Sequence, residues 1–430
     1  MIKILRQILK VRIKYILIIL IVCSTFSLFI IKKYSFTTDS KKYPAIIWWT
    51  PFIFENKKII TCENSYKCLV TKNRSLVSDV AAYLFYGSNF DENDLPLPKN
   101  NIPWTIFHEE SPKNLAFFLD EEGQQLFDIT ATFSRNSTLP LVLQYLEDLH
   151  LITDTIYYVP LKQKNELLKQ LSPILYIQSD CETPIERDFY VSELMKYIRV
   201  DSYGRCLNNK HLPEQLTINK VLTNLYDEDF MKFVSQYKFT IAIENSMCND
   251  YITEKLWRPL IAGSIPIYLG SPSVKDWLPN QHSAILIDDY KNISHLANYL
   301  KYINSNDRLY ETYMAHKLSG YIENQLLKDM FKKGSYGIDK NRDFPVPAFE
   351  CFVCKTVYER SYSTSNKSVY NCEKPKSNDP GKENSWISHW KYGKCQAKTL
   401  FYFIKSLNVS NYTKEIFNKQ IEFYLNNDYC

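Results

Sequence analysis

Two stretches far apart in the chain carry side chains suited to holding an anion. In ENSMCNDYITEKLWRPLIAGSIPIYLGSP, beginning at Glu244, four polar residues fall within eight positions. At about 100° per residue, Tyr251, Glu254, Lys255 and Arg258 share one helix face, while Ile252, Leu256 and Leu260 take the opposite arc. With Asn249 or Asp250 as N-cap, Lys255 sits in the first turn, where free N–H groups and an ammonium together favour phosphate. The same spacing also describes a solvated amphipathic helix with a Glu/Lys pair. Upstream, SDCETPIERDFYVSELMKYI reads as a capping-box start, with Thr183 as cap, Pro184 first in the helix and Glu186 three residues on. Arg187 then opens a helix directly after the strand-like ILYIQS, at the sheet end that also presents Lys255. The two cations together suit a diphosphate; the plainer alternative pairs Arg187 with Glu186 or Asp188 at the surface. A third candidate is FHEESP, where Glu109 and Glu110 follow a strand. A carboxylate overhanging a cleft there is placed to take a proton from a hydroxyl, although solvated loop charges give the same pattern.

These residues need two scaffolds. Short apolar runs begin at Ala45, Ala81, Trp104 and Leu126, and a second series begins at Pro173, Phe239, Ser264 and Ala284 with helical segments following. Such alternation predicts two α/β halves joined by a helix-containing hinge near Leu151 to Ser172, with a ligand at the strands' carboxyl ends. The expected divisions are 44–165 for the first α/β domain, 166–345 for the second and 346–430 for a polar, cysteine-containing extension. Asp227 to Asp229 and Asp288-Asp289 resemble metal-binding acidic groups, but acidic residues at helix starts are common for dipole reasons; no metal is expected.

Residues Tyr15 to Ile31 form an uncharged stretch preceded by five basic residues, and no acidic residue occurs before Asp39. This predicts a cytoplasmic tail (1–14), a type II signal-anchor (15–31) and a short stem (32–43), with the rest in the lumen of the ER or Golgi. A cleaved signal peptide would need a small-residue cleavage site that the stretch lacks. Seven of the 52 Lys/Arg lie in residues 1–33, leaving 45 basic against 47 acidic residues beyond. That balance excludes a nucleic-acid protein, whose folded surface would be basic. Of 11 cysteines, Cys23 falls in the anchor, and ten in an oxidising lumen read as disulfides. Cys62 and Cys68 bracket a short loop and form the expected local pair, while Cys351 and Cys354 (CFVC) read as structural disulfide cysteines. Sequons at Asn73, Asn136, Asn292, Asn366, Asn408 and Asn411 suit a luminal glycoprotein.

The run FTIAIENSMCNDYITEKLW with IPIYLGSP resembles the donor signature of the α1,3-fucosyltransferase family. The blocks from Arg187 to Asn209 and from Phe107 to Leu141 resemble the family's others in order, over about Ile46 to Asp339. NDYITEKLWRPLIAG, GSPSVKDWLPN, VDSYGRCLNN and ECFVC are most similar to the branch with a Cys-rich C-terminal extension, described as protein O-fucosyltransferases for EMI-type domains. The resemblance implies an α/β fold of GT-B type and inverting, metal-independent transfer from GDP-β-L-fucose. The acceptor it implies is Ser/Thr of a folded disulfide-rich domain or GlcNAc of a glycan. It implies Arg187 and Lys255 on the diphosphate, Glu254 on the ribose, Asn245 and Tyr251 near the sugar phosphate, Ser179 on the guanine side and Glu110 as base, with Glu109 as fallback. From other classes, a thiol-disulfide oxidoreductase or chaperone using Cys351 and Cys354, or an inactive binding protein, would fit parts of the sequence.

Overall fold

Two parallel sheets organise the chain in a computed structural model, described for residues 42–50, 52, 57–216, 224–332, 345–361, 368–379 and 381–430. The expected tail, anchor and most of the stem lie outside the described residues, as does Asn366. Among the described residues no helix is long and apolar enough to cross a membrane.

The first sheet comprises β1 (Ala45–Trp48), β2 (Lys57–Thr61), β3 (Lys67–Thr71), β4 (Val80–Tyr86), β5 (Trp104–His108), β6 (Ile129–Thr132) and β7 (Leu139–Pro140), in the order β2-β3-β1-β4-β5-β6-β7. Only β2 runs antiparallel, against β3. The second holds β8 (Ile174–Ile177), β9 (Val200–Tyr203), β10 (Phe239–Ile243), β11 (Ile265–Leu269) and β12 (Ile285–Leu286), all parallel, in the order β12-β11-β10-β8-β9. Strands buried on both faces read as continuous apolar runs, which is why FTIAI and IPIYL stand out. The order reverses between β8 and β10, so the second sheet has its switch point at the carboxyl ends of those two strands. Among the helices that flank it are α1 (Leu161–Leu167) in the hinge, α2 (Arg187–Met195), α3 (Glu228–Val234) and α4 (Glu254–Ala262).

Residues expected to form a polar tail instead build helices α5 (Val346–Glu359), α6 (Ile387–Phe401) and α7 (Lys414–Asn426). They complete the first half. Phe349, Val353 and Cys354 of α5 cover one face of its sheet, and Leu400, Phe417 and Ile421 join the core on the other. The polar composition hid this because each helix buries only one side.

The ten described cysteines form five disulfides: Cys62–Cys351, Cys68–Cys354, Cys181–Cys206, Cys248–Cys372 and Cys395–Cys430. The expected Cys62–Cys68 pair is therefore wrong. Cys351 and Cys354 lie about one helical turn apart on α5, so both thiols face the β2–β3 pair and each takes one cysteine from it. Neither is paired to the other, which removes the dithiol that an oxidoreductase reading of CFVC requires. Asn292, Asn408 and Asn411 are exposed; Asn73 and Asn136 are half-buried, and the Asn136 amide donates to Ser368 O at 3.1 Å.

Candidate active site

The loops after β8, β9 and β10 and the first turns of α2 and α4 enclose a cavity of about 460 Å³ at the switch point. Ser179, Arg187, Asn245, Glu254 and Lys255 all line it, joined by Arg258. Five of the six expected donor-side residues thus converge from positions up to 76 apart in the chain.

Their placement depends on where α4 begins. Neither Asn249 nor Asp250 caps it: the cap is Thr253, whose Oγ1 accepts from Lys255 N at 3.3 Å. Glu244, fully buried at the end of β10, accepts from Thr253 N and Thr253 Oγ1, each at 2.8 Å. The Glu of ENS therefore fixes the helix start nine residues later. Gly270 is required by the same carboxylate, since a Cβ there would stand 2.5 Å from Glu244 Cγ. Asp250 has a different task. It adopts a left-handed conformation (φ 66°) and accepts from Arg135 of the first half at 2.6 Å, from Ser273 Oγ at 2.8 Å and from Trp277 Nε1 at 3.2 Å. Stretched between those ties, NDYIT is extended loop, and Tyr251 leaves the helical stripe predicted for it. Tyr251 is buried against Phe133, with ring centroids 5.1 Å apart and a hydrogen bond to the Ser111 side chain, and is not among the cavity-lining residues.

Glu254 and Arg258, one turn apart, stay on the cavity face as the periodicity predicts. Burial opposes ionisation of Glu254, but Lys255 and Arg258 overcome it and hold the carboxyl at about 2. Burial raises the Glu244 pKa, with Lys255 opposing the shift at 3.7 Å. Lys255 Nζ also lies 3.2 Å from Glu254 Oε1 and 3.1 Å from Thr253 Oγ1. One ammonium balances two carboxylates.

Arg187 is fully buried, bonded to Asn245 Oδ1, to Ile243 O at 3.3 Å and to Asp180 O, while its Nε has no partner. The predicted capping box is absent: Glu186 itself occupies the cap position in a left-handed conformation, and its carboxylate accepts from Asn378 N at 2.8 Å. The guanidinium is thereby directed inward, away from the surface pairing that its neighbours suggest.

Across the interface, FHEESP ends β5 in the first half. Glu110 Oε2 accepts from Ser88 Oγ at 2.5 Å and from Asn114 Nδ2 at 2.9 Å; burial works against its ionisation, but these bonds bring its pKa below the usual value. Glu109 accepts from the Tyr86 hydroxyl at 3.2 Å, has its other oxygen buried without a partner, and is pushed up to about 7 by burial and the neighbouring Glu110 charge. The loop abuts the second half: Lys113 donates to Asp180 at 2.5 Å, and Asp180 lines the cavity. Tyr145 is half-buried between the halves and feels Glu254 and Glu244 from one side and Glu109 and Glu110 from the other.

Two paired carboxylates therefore stand near a cation-lined cavity, an arrangement suited to proton removal beside a departing anion. Among the described residues the only cluster with metal-ligand geometry is Cys181, Asp188 and Cys206, whose cysteines are bonded to each other. Arg258, Asp180 and Glu244 are site residues that the sequence did not single out as ligands. Arg258 was visible in the helical stripe, whereas the others emerge only once the loops are folded.

Residues 165–371 match the model of the glycosyltransferase family 10 (fucosyltransferase) C-terminal region, and residues 41–145 match the fucosyltransferase N-terminal model. GDP-fucose protein O-fucosyltransferase 3 of Homo sapiens is 45% identical over 338 residues, spanning 76% of this chain and 70% of that one. Its Xenopus laevis counterpart is 46% identical over 321 residues, 74% and 68% of the two chains. A crystal structure of an α1,3-fucosyltransferase with GDP aligns with 70% of this chain and 93% of its own, at 19% identity and a TM-score of 0.43.

Proposed function

Because the chain belongs to glycosyltransferase family 10, the fucosyltransferases, we propose that it moves L-fucose from GDP-β-L-fucose, with inversion, to a Ser or Thr hydroxyl of a folded, disulfide-rich secretory domain. The observation that carries this reading is the convergence of Ser179, Arg187, Asn245, Glu254 and Lys255 on one cavity, with the ESP carboxylates beside it. Two α/β halves meeting at such a site fit a GT-B arrangement. The relatives' names favour a protein acceptor over a glycan.

In this mechanism Glu110 takes the proton of the acceptor hydroxyl, whose oxygen attacks the anomeric carbon on the face opposite the nucleotide. The bond from that carbon to the diphosphate oxygen breaks, and its electron pair leaves with GDP. Charge growing on the diphosphate is met by Lys255 and by Arg187 with the Asn245 amide it orients. Such preorganised groups are most effective where charge develops in the transition state. Glu254, kept ionised by Lys255 and Arg258, accepts from ribose hydroxyls, and Ser179 lies on the guanine side. Tyr251 supports the site through Phe133 and Ser111. Two cations at the leaving group make a divalent metal unnecessary in this reading. Five disulfides suit an oxidising lumen, and an anchor at residues 15–31 would retain the enzyme in ER or Golgi membranes. The test is incubation with GDP-fucose and either a folded EMI-type domain or a GlcNAc-terminated glycan, read by mass spectrometry. A deoxyhexose gain on the domain is expected; a gain on the glycan alone would reassign the acceptor, and none on either would overturn the activity.

A further inference from the structure

A second cavity, of about 350 Å³, adjoins the first and has no part in the chemistry above. Lys113 comes from the first half, Ile185, Met247 and Leu269 from the second, and Trp386 and Trp390 from the cap and first turn of α6. Lys113 is the partition: its ammonium pairs with Asp180 of the donor cavity, and its neighbour Asn114 donates to Glu110. The second cavity therefore begins within three residues of the proposed base.

It exists because the C-terminal extension folds back across the site. Cys372 is bonded to Cys248, Asn249 N donates to Asn371 O at 3.0 Å, Glu373 N donates to Met247 O at 2.8 Å, and Asn384 Nδ2 reaches Pro184 O at 2.8 Å. These ties hold the two half-buried indoles, one helical turn apart, facing the apolar floor. Ammonium groups sit on both rings: Lys113 at 5.6 Å from the Trp386 centroid, and Lys394 and Lys374 at 4.8 and 5.8 Å from that of Trp390.

We infer that this cavity is an acceptor subsite, filled by one large apolar or aromatic side chain that a folded polypeptide presents beside the hydroxyl to be fucosylated. The inference rests on the proposed transfer to protein. Its size is at the low end for ligand sites, suiting a single side chain. Ile185, Met247, Leu269 and the Cys248–Cys372 disulfide give it an apolar floor, with Asp288, Glu373 and Lys376 also in its lining. Indoles in such a recess are the usual anchors of a protein interface.

Steady-state kinetics of Trp386→Ala and Trp390→Ala test this with GDP-fucose and a folded EMI-type domain. The KM for the domain should rise at least about tenfold, while the KM for GDP-fucose and its slow hydrolysis without acceptor stay within about twofold. Wild-type transfer with unchanged domain KM in both variants overturns the subsite and leaves the proposed function standing. Loss tracking a GlcNAc glycan instead of the domain also overturns it. Absence of protein transfer by the wild type removes the reading beneath it. Should the alanine variants fail to fold, a benzophenone side chain in place of exposed His389, on the same rim, should crosslink to the domain under light; no crosslink refutes the proposal.

Discussion

Replacing Lys255 with alanine separates two jobs that one ammonium performs. In the free enzyme it lies 3.2 Å from Glu254 Oε1 and 3.7 Å from Glu244 Oε2. At an effective dielectric of about 20, a unit pair at such a separation is worth about 4 kcal/mol. Because solvent and Arg258 offset part of this, the loss at the leaving group should be about 3 kcal/mol, in line with removal of one preorganised electrostatic group elsewhere. That corresponds to a fall of about two decades in kcat/KM. The second effect is on folding: Glu244 is fully buried, and without its cation it must take up a proton or lose stability. Glu244→Gln in the Lys255→Ala background removes that charge while leaving the leaving group unassisted. The double variant should regain urea stability relative to Lys255→Ala but none of its turnover, measured by GDP release and acceptor mass. Activity within about threefold of wild type for Lys255→Ala, or recovery of turnover in the double variant, would refute the reasoning.

Glu110→Gln should lower turnover by about 10² to 10⁴ with GDP affinity unchanged in calorimetry. The acid limb of kcat identifies the base directly: with Glu110, whose pKa is held below the usual carboxylate value, activity persists well below pH 6, whereas with Glu109 it would fall as pH drops through about 7. Arg135→Ala cuts the tie to Asp250 and should cost about 2 kcal/mol, below the range for fully buried pairs because Arg135 is partly exposed; chemical denaturation measures this, and an unchanged midpoint would count against an interlobe clamp. His316 is buried and held at about 3 by desolvation, so the unfolded chain takes up a proton near pH 6.5 that the native state refuses. Stability is therefore lost as pH falls, by about 2 kcal/mol at pH 5. Wild type and His316→Phe, melted in urea at pH 7 and pH 5, should differ in pH dependence by that amount; parallel behaviour would contradict it.

Much of the site could be read from types and spacing, because a helix start after a parallel strand constrains where side chains go. Arg187, Glu254 and Lys255 follow directly from β8 and β10, and local periodicity was enough to bring Arg258 alongside. Tyr251 was misplaced because long-range bonds from Asp250 to Arg135 and from Thr253 to Glu244 delay the helix by several residues, and no local signal records those partners. The same limit applies to the disulfides: loop length alone pairs Cys62 with Cys68, while α5 brings Cys351 and Cys354 closer to them in space. The extension was illegible as structure, since its polar surface outweighs the narrow apolar faces that cover the first sheet.

The central claim is that two distant cations hold one diphosphate, and calorimetric titration with GDP and with GMP tests it most directly. The account expects GDP to bind at least about tenfold more tightly than GMP, about 1.4 kcal/mol, with that advantage largely gone in Lys255→Ala. Equal affinity for the two nucleotides, or a preference for GDP that survives the substitution intact, would contradict it.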